Sequence, residues 1–385
     1  MTRFLLPLLV CACAGSLVDH SGAGGPCPDG KLKCANGCCN ATELSAGTSH
    51  TCAVAGEEAR CWGANDQLQL GHASQDSYVP VKADVPGKVS AIAAGAAHTC
   101  AIADGKVWCW GDNTYGQVGN GNTTGPAKPQ EVAGLSDMEF LAAGGGHTCA
   151  ASRSKMVCWG RDDFGQLGNG GSLGEQHLEP TDVINVGALS AIAAGDAHTC
   201  AATGSGVLCW GQNSSGQLGN GAASPPSSTP APVSPALSGT FLGLGANHSC
   251  AGTGSGDLYC WGANESEQVG MSGGSQPSPQ KVRSGVVLVV GGLAHTCAVR
   301  TSLQTMRCWG SSGPQLGSAG GEENQDQVQL PPGVLRIKAA AAGSRHTCAV
   351  VDDNVLCWGL NDRGQLGTDS AITASTAKPT AVSGR

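Results

Sequence analysis

Aromatic side chains are scarce in this chain, 4% of 385 residues, and charged side chains reach only 13%. That is too little charge for a disordered, solvated polymer. The 21 Lys and Arg form no run and the formal net charge is −8, so the basic footprint that neutralises phosphates is missing and nucleic acid is not expected as a partner. No stretch approaches the ~20 consecutive apolar residues that a membrane-spanning helix needs, and no segment reads as a helix. A unique nucleophile with its base, a carboxylate pair and a glycine-rich phosphate loop are all missing. No catalytic residue, cofactor or metal site is therefore expected.

What the chain has instead is glycine, 60 residues of it, and 20 cysteines. Short Val, Ile, Ala and Leu runs between glycine-rich connections predict an all-β fold of short strands. So many regularly placed cysteines predict an oxidising compartment. The N-terminus agrees: Arg3, the apolar run Phe4 to Val10, then the small residues Cys11 to Gly15 read as a signal peptide over residues 1–13. Val10-Cys11-Ala12-Cys13 also resembles a bacterial lipobox, in which Cys13 would carry the lipid anchor. Residues 14–42 read as a Cys-rich linker segment with no room for a core; Cys27, Cys34, Cys38 and Cys39 allow three pairings there, and a small disulfide knot is favoured over a metal site.

From Glu43 onward the chain repeats. His-Thr/Ser-Cys begins at His50, His98, His147, His198, His248, His295 and His346, in steps of 48, 49, 51, 50, 47 and 51 residues. Each copy is followed by Cys-Trp-Gly. The period is that of a propeller blade, so residues 43–385 predict a seven-bladed β-propeller. In the second repeat, Val89 to Ala94, His98 to Ala103 and Lys106 to Gly111 read as strands, with Asp104-Gly105 as a type I′ hairpin turn.

Counting outward from that turn sets Cys100 opposite Cys109 at a non-hydrogen-bonded position, where the Cα separation of about 4.5 Å suits a disulfide. The same arithmetic pairs Cys52 with Cys61, Cys149 with Cys158, Cys200 with Cys209 and Cys348 with Cys357; Cys250 with Cys260 and Cys297 with Cys308 enclose one and two extra residues in longer turns. Each closed loop restricts the unfolded chain by roughly 2.5 to 3 kcal/mol in the chain-entropy model. Period-two geometry sets Trp110 against Thr99, and the repeated Trp residues are predicted to wedge between blades. Each repeated His is assigned a structural hydrogen bond, as at His98 beside Gly111, in preference to a ring that binds metal or senses pH; His72 and His177 are not repeated. A fourth strand follows each loop, at Pro129 to Val132 and Pro379 to Val382 for example. If it joins the next repeat, Thr380 to Val382 completes the blade that Thr42 begins.

The run Ala-Gly-x-x-His-Thr followed by Cys-Trp-Gly-x-Asn-x-x-Gly-Gln-Leu-Gly resembles the repeat of the regulator of chromosome condensation family, in an exported, disulfide-stapled form, over Glu43 to Val382. The resemblance implies a propeller of four-stranded blades. Gln67-Leu68, Glu265-Ser266-Glu267 and Ser311 to Pro314 depart from the loop pattern. The family's uses diverge: nuclear nucleotide exchange on a small GTPase, ultraviolet reception through Trp in Gly-Trp-Arg-His repeats, and inhibition of a β-lactamase by a secreted bacterial protein. The equivalent positions here read Ala96-Ala97, Gly145-Gly146, Asp196-Ala197 and Ser344-Arg345, so photoreception is unsupported.

The sequence thus predicts a non-enzymatic, monomeric binding or scaffold protein, secreted or on the cell surface, that recognises a protein or glycan through one propeller face. A GTPase regulator and a secreted enzyme inhibitor are the alternatives. The variable stretches Asn169 to Thr181, Ala222 to Pro235 and Gly270 to Gln280 mark where a partner would be read. Sequons at Asn40, Asn122, Asn213, Asn247 and Asn264 matter only in a glycosylating host.

Overall fold

Alternating small and apolar residues give short strands, and the glycines between them give the turns. The computed structural model describes residues 27–35, 37–72, 75–223, 225–300, 305–317, 326–369 and 374–384. The proposed leader and Cys13 lie outside the described residues. Seven four-stranded antiparallel sheets follow one another in sequence order, each built from one repeat, with a small two-stranded hairpin ahead of them. The only helical turn among the described residues is a short 3-10 turn at Pro314–Leu316.

The second blade shows the plan. Its strands are Val89–Ala94 innermost, His98–Ala103, Lys106–Gly111, and Gln130–Glu131 outermost. Asp104 and Gly105 both have positive φ, 48° and 76°, as a type I′ turn requires. Cys100 faces Cys109 and Thr99 faces Trp110. The seven hairpin cysteine pairs are bonded, with Cα separations of 4.1 to 4.2 Å.

The outer strand corrects one expectation. Ser375–Ala381 pairs with Asn354–Leu360 of its own repeat, Leu356 opposite Ala381 and Cys357 opposite Thr380, and it does not complete the first blade. The long connection after Cys-Trp-Gly folds back on itself, so the chain re-enters antiparallel beside the strand it has just left.

The core is distributed between blades. Trp110 is fully buried against Leu70, Ala83 and Val85 of the preceding blade, and the other six repeat tryptophans are buried likewise. Close approach there requires glycine: a Cβ on Gly71, whose φ is +79°, would lie 3.0 Å from Trp110 Nε1. The segment read as having no core contributes to the propeller. Leu32, on the small hairpin Leu32–Cys34 and Gly37–Cys39, is fully buried with Leu44 and Trp62 of the first blade and Val350 and Val355 of the seventh. Its cysteines pair as Cys27–Cys38 and Cys34–Cys39.

Candidate binding faces and the histidine ring

Each inner strand ends in a Gly-x-x turn that delivers the repeat histidine to the second strand. The histidines do not line the central channel, a cavity of about 280 Å³ walled by inner-strand residues such as Leu44, Ala94, Ala143, Leu244, Val290 and Ala342. They point across the seams. His50 Nε2 lies 2.9 Å from Thr99 Oγ1 of the next blade, and the pattern runs through His98–Thr148, His147–Thr199, His198–Ser249, His248–Thr296 and His295–Thr347. His346 with Thr51, at 2.8 Å, closes the ring.

Proton accounting fixes the tautomer. Thr99 donates to the Gln69 carbonyl at 2.8 Å, and Trp110 Nε1–H donates to the same oxygen at 2.8 Å. The threonine proton is spent, so the imidazole Nε2–H must donate to the hydroxyl. Nδ1 is then the bare nitrogen, and on six of the seven rings, from His50 through His248 and at His346, it is buried without a partner. It faces the glycine three residues upstream: a Cβ on Gly95 would come within 2.6 Å of His98 Nδ1 and 2.2 Å of its Cε1. The Ala-Gly-x-x-His spacing therefore makes room for the ring. Burial holds the imidazoles neutral, with pKa values lowered to about 3 for His50, His147, His198, His248 and His346 and to about 4 for His98 and His295. Among the described residues no His, Cys, Asp and Glu group of three or more is placed to hold a metal.

The Asn-x-x-Gly-Gln-Leu-Gly loops are self-bonded scaffolds. Asn113 Oδ1 accepts from Val118 N–H, while its amide nitrogen donates to the carbonyls of Asn122 and Thr124. In the third blade Asp162 takes this place and cannot donate. Its Oδ1 accepts from Leu167 N–H, Oδ2 has no partner, and burial raises its pKa to about 6. The same role buries Asn213 and Asn264, which closes those two sequons to modification in the folded chain; Asn40 and Asn122 are exposed.

The long loops and the Gly-x-x turns share one face. Leu173 in the third loop, Met271 in the fifth and Leu293 at the channel mouth are exposed there, Leu293 by 53%. Sequence reading missed Glu43. It is the only carboxylate at its inner-strand position, where the other blades carry Ala91, Phe140, Ala191, Phe241, Leu288 and Ala339. Burial raises its pKa to about 7, against a smaller opposing pull from the Ile92 N–H.

Profiles of the regulator of chromosome condensation repeat match residues 61–102, 104–151, 157–202 and 255–299 in one form, and 89–117, 190–217, 241–268 and 337–365 in a second. Together they cover more than half of the chain, which belongs to this repeat family. The ultraviolet-B receptor of Arabidopsis thaliana is 34% identical over 191 residues, 46% of this chain and 42% of the receptor, so the match spans less than half of that relative. Human WBSCR16 superposes with a TM-score of 0.75 at 18% identity, over 84% of this chain and 93% of that one. Prp20p of Saccharomyces cerevisiae, whose structure was described with its binding to Gsp1p and histones, gives 0.71 at 21% identity, over 88% and 86%. Both likenesses speak to the fold alone.

Proposed function

We propose that this chain is an exported, non-enzymatic propeller that recognises a protein or glycan partner through the face bearing the long loops and the channel mouth. The carrying observation is a division of labour. The repeated polar groups are consumed in seam and loop bonds, whereas Leu173, Met271 and Leu293 on that face bond to nothing in the scaffold. Binding surfaces are characteristically exposed apolar residues on variable connections over a rigid frame. Nine cystine pairs favour an oxidising compartment over the one a GTPase regulator would occupy. The leader over residues 1–13, anchoring through Cys13, and the monomeric state belong to this proposal.

The test is capture by the immobilised, disulfide-intact chain beside a Leu293→Glu, Met271→Glu double variant. The reading expects a partner retained by the parent and lost by the variant at an unchanged melting temperature. Equal retention by both, or recovery of the chain from the cytoplasm with free thiols, overturns it. Nucleotide exchange on a small GTPase would establish the regulator reading instead.

A further inference from the structure

The repeat supplies its own control: what six blades share serves the fold, and what one blade alone carries needs another reason. Three arginines at the junction of the fifth and sixth blades, one on the fifth and two on the sixth, have no carboxylate partner among the described residues. Arg300 ends the second strand of the sixth blade, where the other blades have Ala55, Ala103, Ser152, Thr203, Thr253 and Val351. Arg307 lies on its third strand; the one other arginine at that position, Arg60, is paired with Glu58 at 2.8 Å. Arg283 ends the outer strand of the fifth blade, Gln276–Arg283.

The register brings the three together. Thr296 opposite Trp309, Ala298 opposite Arg307 and Arg300 opposite Thr305 put Arg300, Arg307 and Trp309 on one sheet face, because alternate residues share a face. That face meets the fifth blade, since Trp309 Nε1 donates to the Gln268 carbonyl at 3.0 Å. Arg283 comes from the fifth blade and stacks on the Trp309 ring at 4.8 Å. Arg300 lies across Gly285, where a Cβ would be 3.6 Å from its Nε and Nη2. Among the described residues none of the three has a carboxylate partner within salt-bridge distance, and the Nε atoms of Arg283 and Arg300 are buried without an acceptor. Burial lowers the pKa of Arg283, with a smaller push from the charges of Arg307 and Arg300.

A cavity of about 290 Å³ at the other seam of the sixth blade, toward the seventh, is lined by Arg300, Arg336 and Lys338 with Val287, Val299 and Ile337; Arg300 stands at the edge of both seams. The acids nearest it are already engaged. Asp353 pairs with Lys338, and the Asp352 carboxylate accepts the backbone N–H groups of Leu335 and Arg336. Guanidinium groups that are partly buried and unpaired, with Nε atoms shut off from solvent as in Arg283 and Arg300, are costly unless something neutralises them, and fork-shaped donors suit oxyanions.

We propose that the cleft between the fifth and sixth blades, on the face opposite the long loops, binds an oxyanion group (carboxylate, phosphate or sulfate) through Arg283, Arg300 and Arg307. The site is independent of the partner face proposed above. Calorimetric titration of the full disulfide-bonded chain with inorganic phosphate, sulfate and citrate at fixed ionic strength tests it. Saturable binding at millimolar concentrations or below is expected, and preference among the three probes distinguishes a tetrahedral ion from a carboxylate ligand. Arg283→Gln and Arg300→Gln should each weaken it about tenfold or more, and Lys88→Gln, in an exposed pair on the first two blades, should leave it unchanged. Without anion, both arginine variants should melt no lower than the parent, because each relieves like-charge repulsion. Titrations with no saturable heat, or arginine variants that bind as the parent does, overturn the proposal.

Discussion

The chain runs through six of the seven seams of the ring but not through the seventh, between the last blade and the first. The seventh seam has all the bonds of the others: His346 to Thr51, Thr51 to the Gln365 carbonyl at 2.9 Å, and Trp62 to the same carbonyl at 2.9 Å. It also has additions. Gly30 N–H donates to Val382 O, Val355 N–H to Gly30 O, and Cys27 N–H to Gly384 O; Leu32 fills the seam from below; and Arg363 grips the Asp76 carboxylate at 2.5 and 2.9 Å. Where covalent continuity is missing, noncovalent latches accumulate. An open seam would expose two blade faces at once, and the Cys-rich hairpin is tied across it.

The largest expected effect strikes all seven seams alike. Each imidazole titrates near 6.5 when unfolded and at about 3 to 4 when folded. A depressed folded pKa gives stability that is complete above the unfolded value and is lost as pH falls toward the folded one. By pH 5 each histidine should have cost about 2 kcal/mol, at 1.36 kcal/mol per unit. Glu43 runs the other way. Its raised pKa makes its contribution complete below 4.5 and lost as pH rises through about 7, so one carboxyl offsets part of what seven rings forfeit. Denaturant melts from pH 7 to pH 4 should show a steep loss starting near 6.5; a flat profile would mean that the rings are hydrated and protonate without strain.

Next come the tryptophans. Trp110→Ala leaves a cavity at a continuous seam and Trp62→Ala leaves one at the discontinuous seam, each costing about 3 to 5 kcal/mol. If the latches make the seventh seam equivalent to the rest, calorimetric midpoints of the two variants should agree. A markedly larger loss for Trp62→Ala would show that the latches fall short of a peptide bond. Leu32→Ala separates the latch from the repeat, since it touches no repeat bond; it should cost about 2 to 4 kcal/mol, and a loss below about 0.5 kcal/mol would mean that the hairpin merely rests on the ring.

The repeats were readable because each carries its chemistry in one short window: the turn at Asp104-Gly105 fixes the register of Cys100 and Cys109, and alternation sets Trp110 against Thr99. What escaped depends on distance along the chain. The spacing of the outer strands is the same whether Thr380 to Val382 joins its own blade or the next, so only the hydrogen bonds of the fold could place it. Leu32 sits in a segment whose neighbours in sequence offer it no core, and its pocket is built from residues at the far end of the chain. Arg283, Arg300 and Arg307 look scattered in sequence and meet only because adjacent blades face each other. The histidine bond was expected near Gly111; its partner, Thr148, is fifty residues away in the next blade.

The smallest expected effect is that of the ion pair. Asp76 is held below the usual carboxylate range chiefly by the Arg363 hydrogen bonds, with help from the Asn65 N–H, and Arg363 is raised in return. The two side chains are 26% and 36% exposed, so solvent screens much of this attraction and the pair is worth about 1 kcal/mol or less. Its contribution is present above the unfolded aspartate value of 3.8 and fades as pH falls below it. A double-mutant cycle with Arg363→Gln and Asp76→Asn isolates the coupling. We expect a coupling of a few tenths of a kcal/mol to about 1, reduced by salt, because Arg363 also reaches Asp66 at 3.4 Å and keeps part of its pairing when Asp76 is neutralised. A coupling near zero would leave the latch of the seventh seam to Leu32 and the backbone bonds of the Cys-rich segment alone.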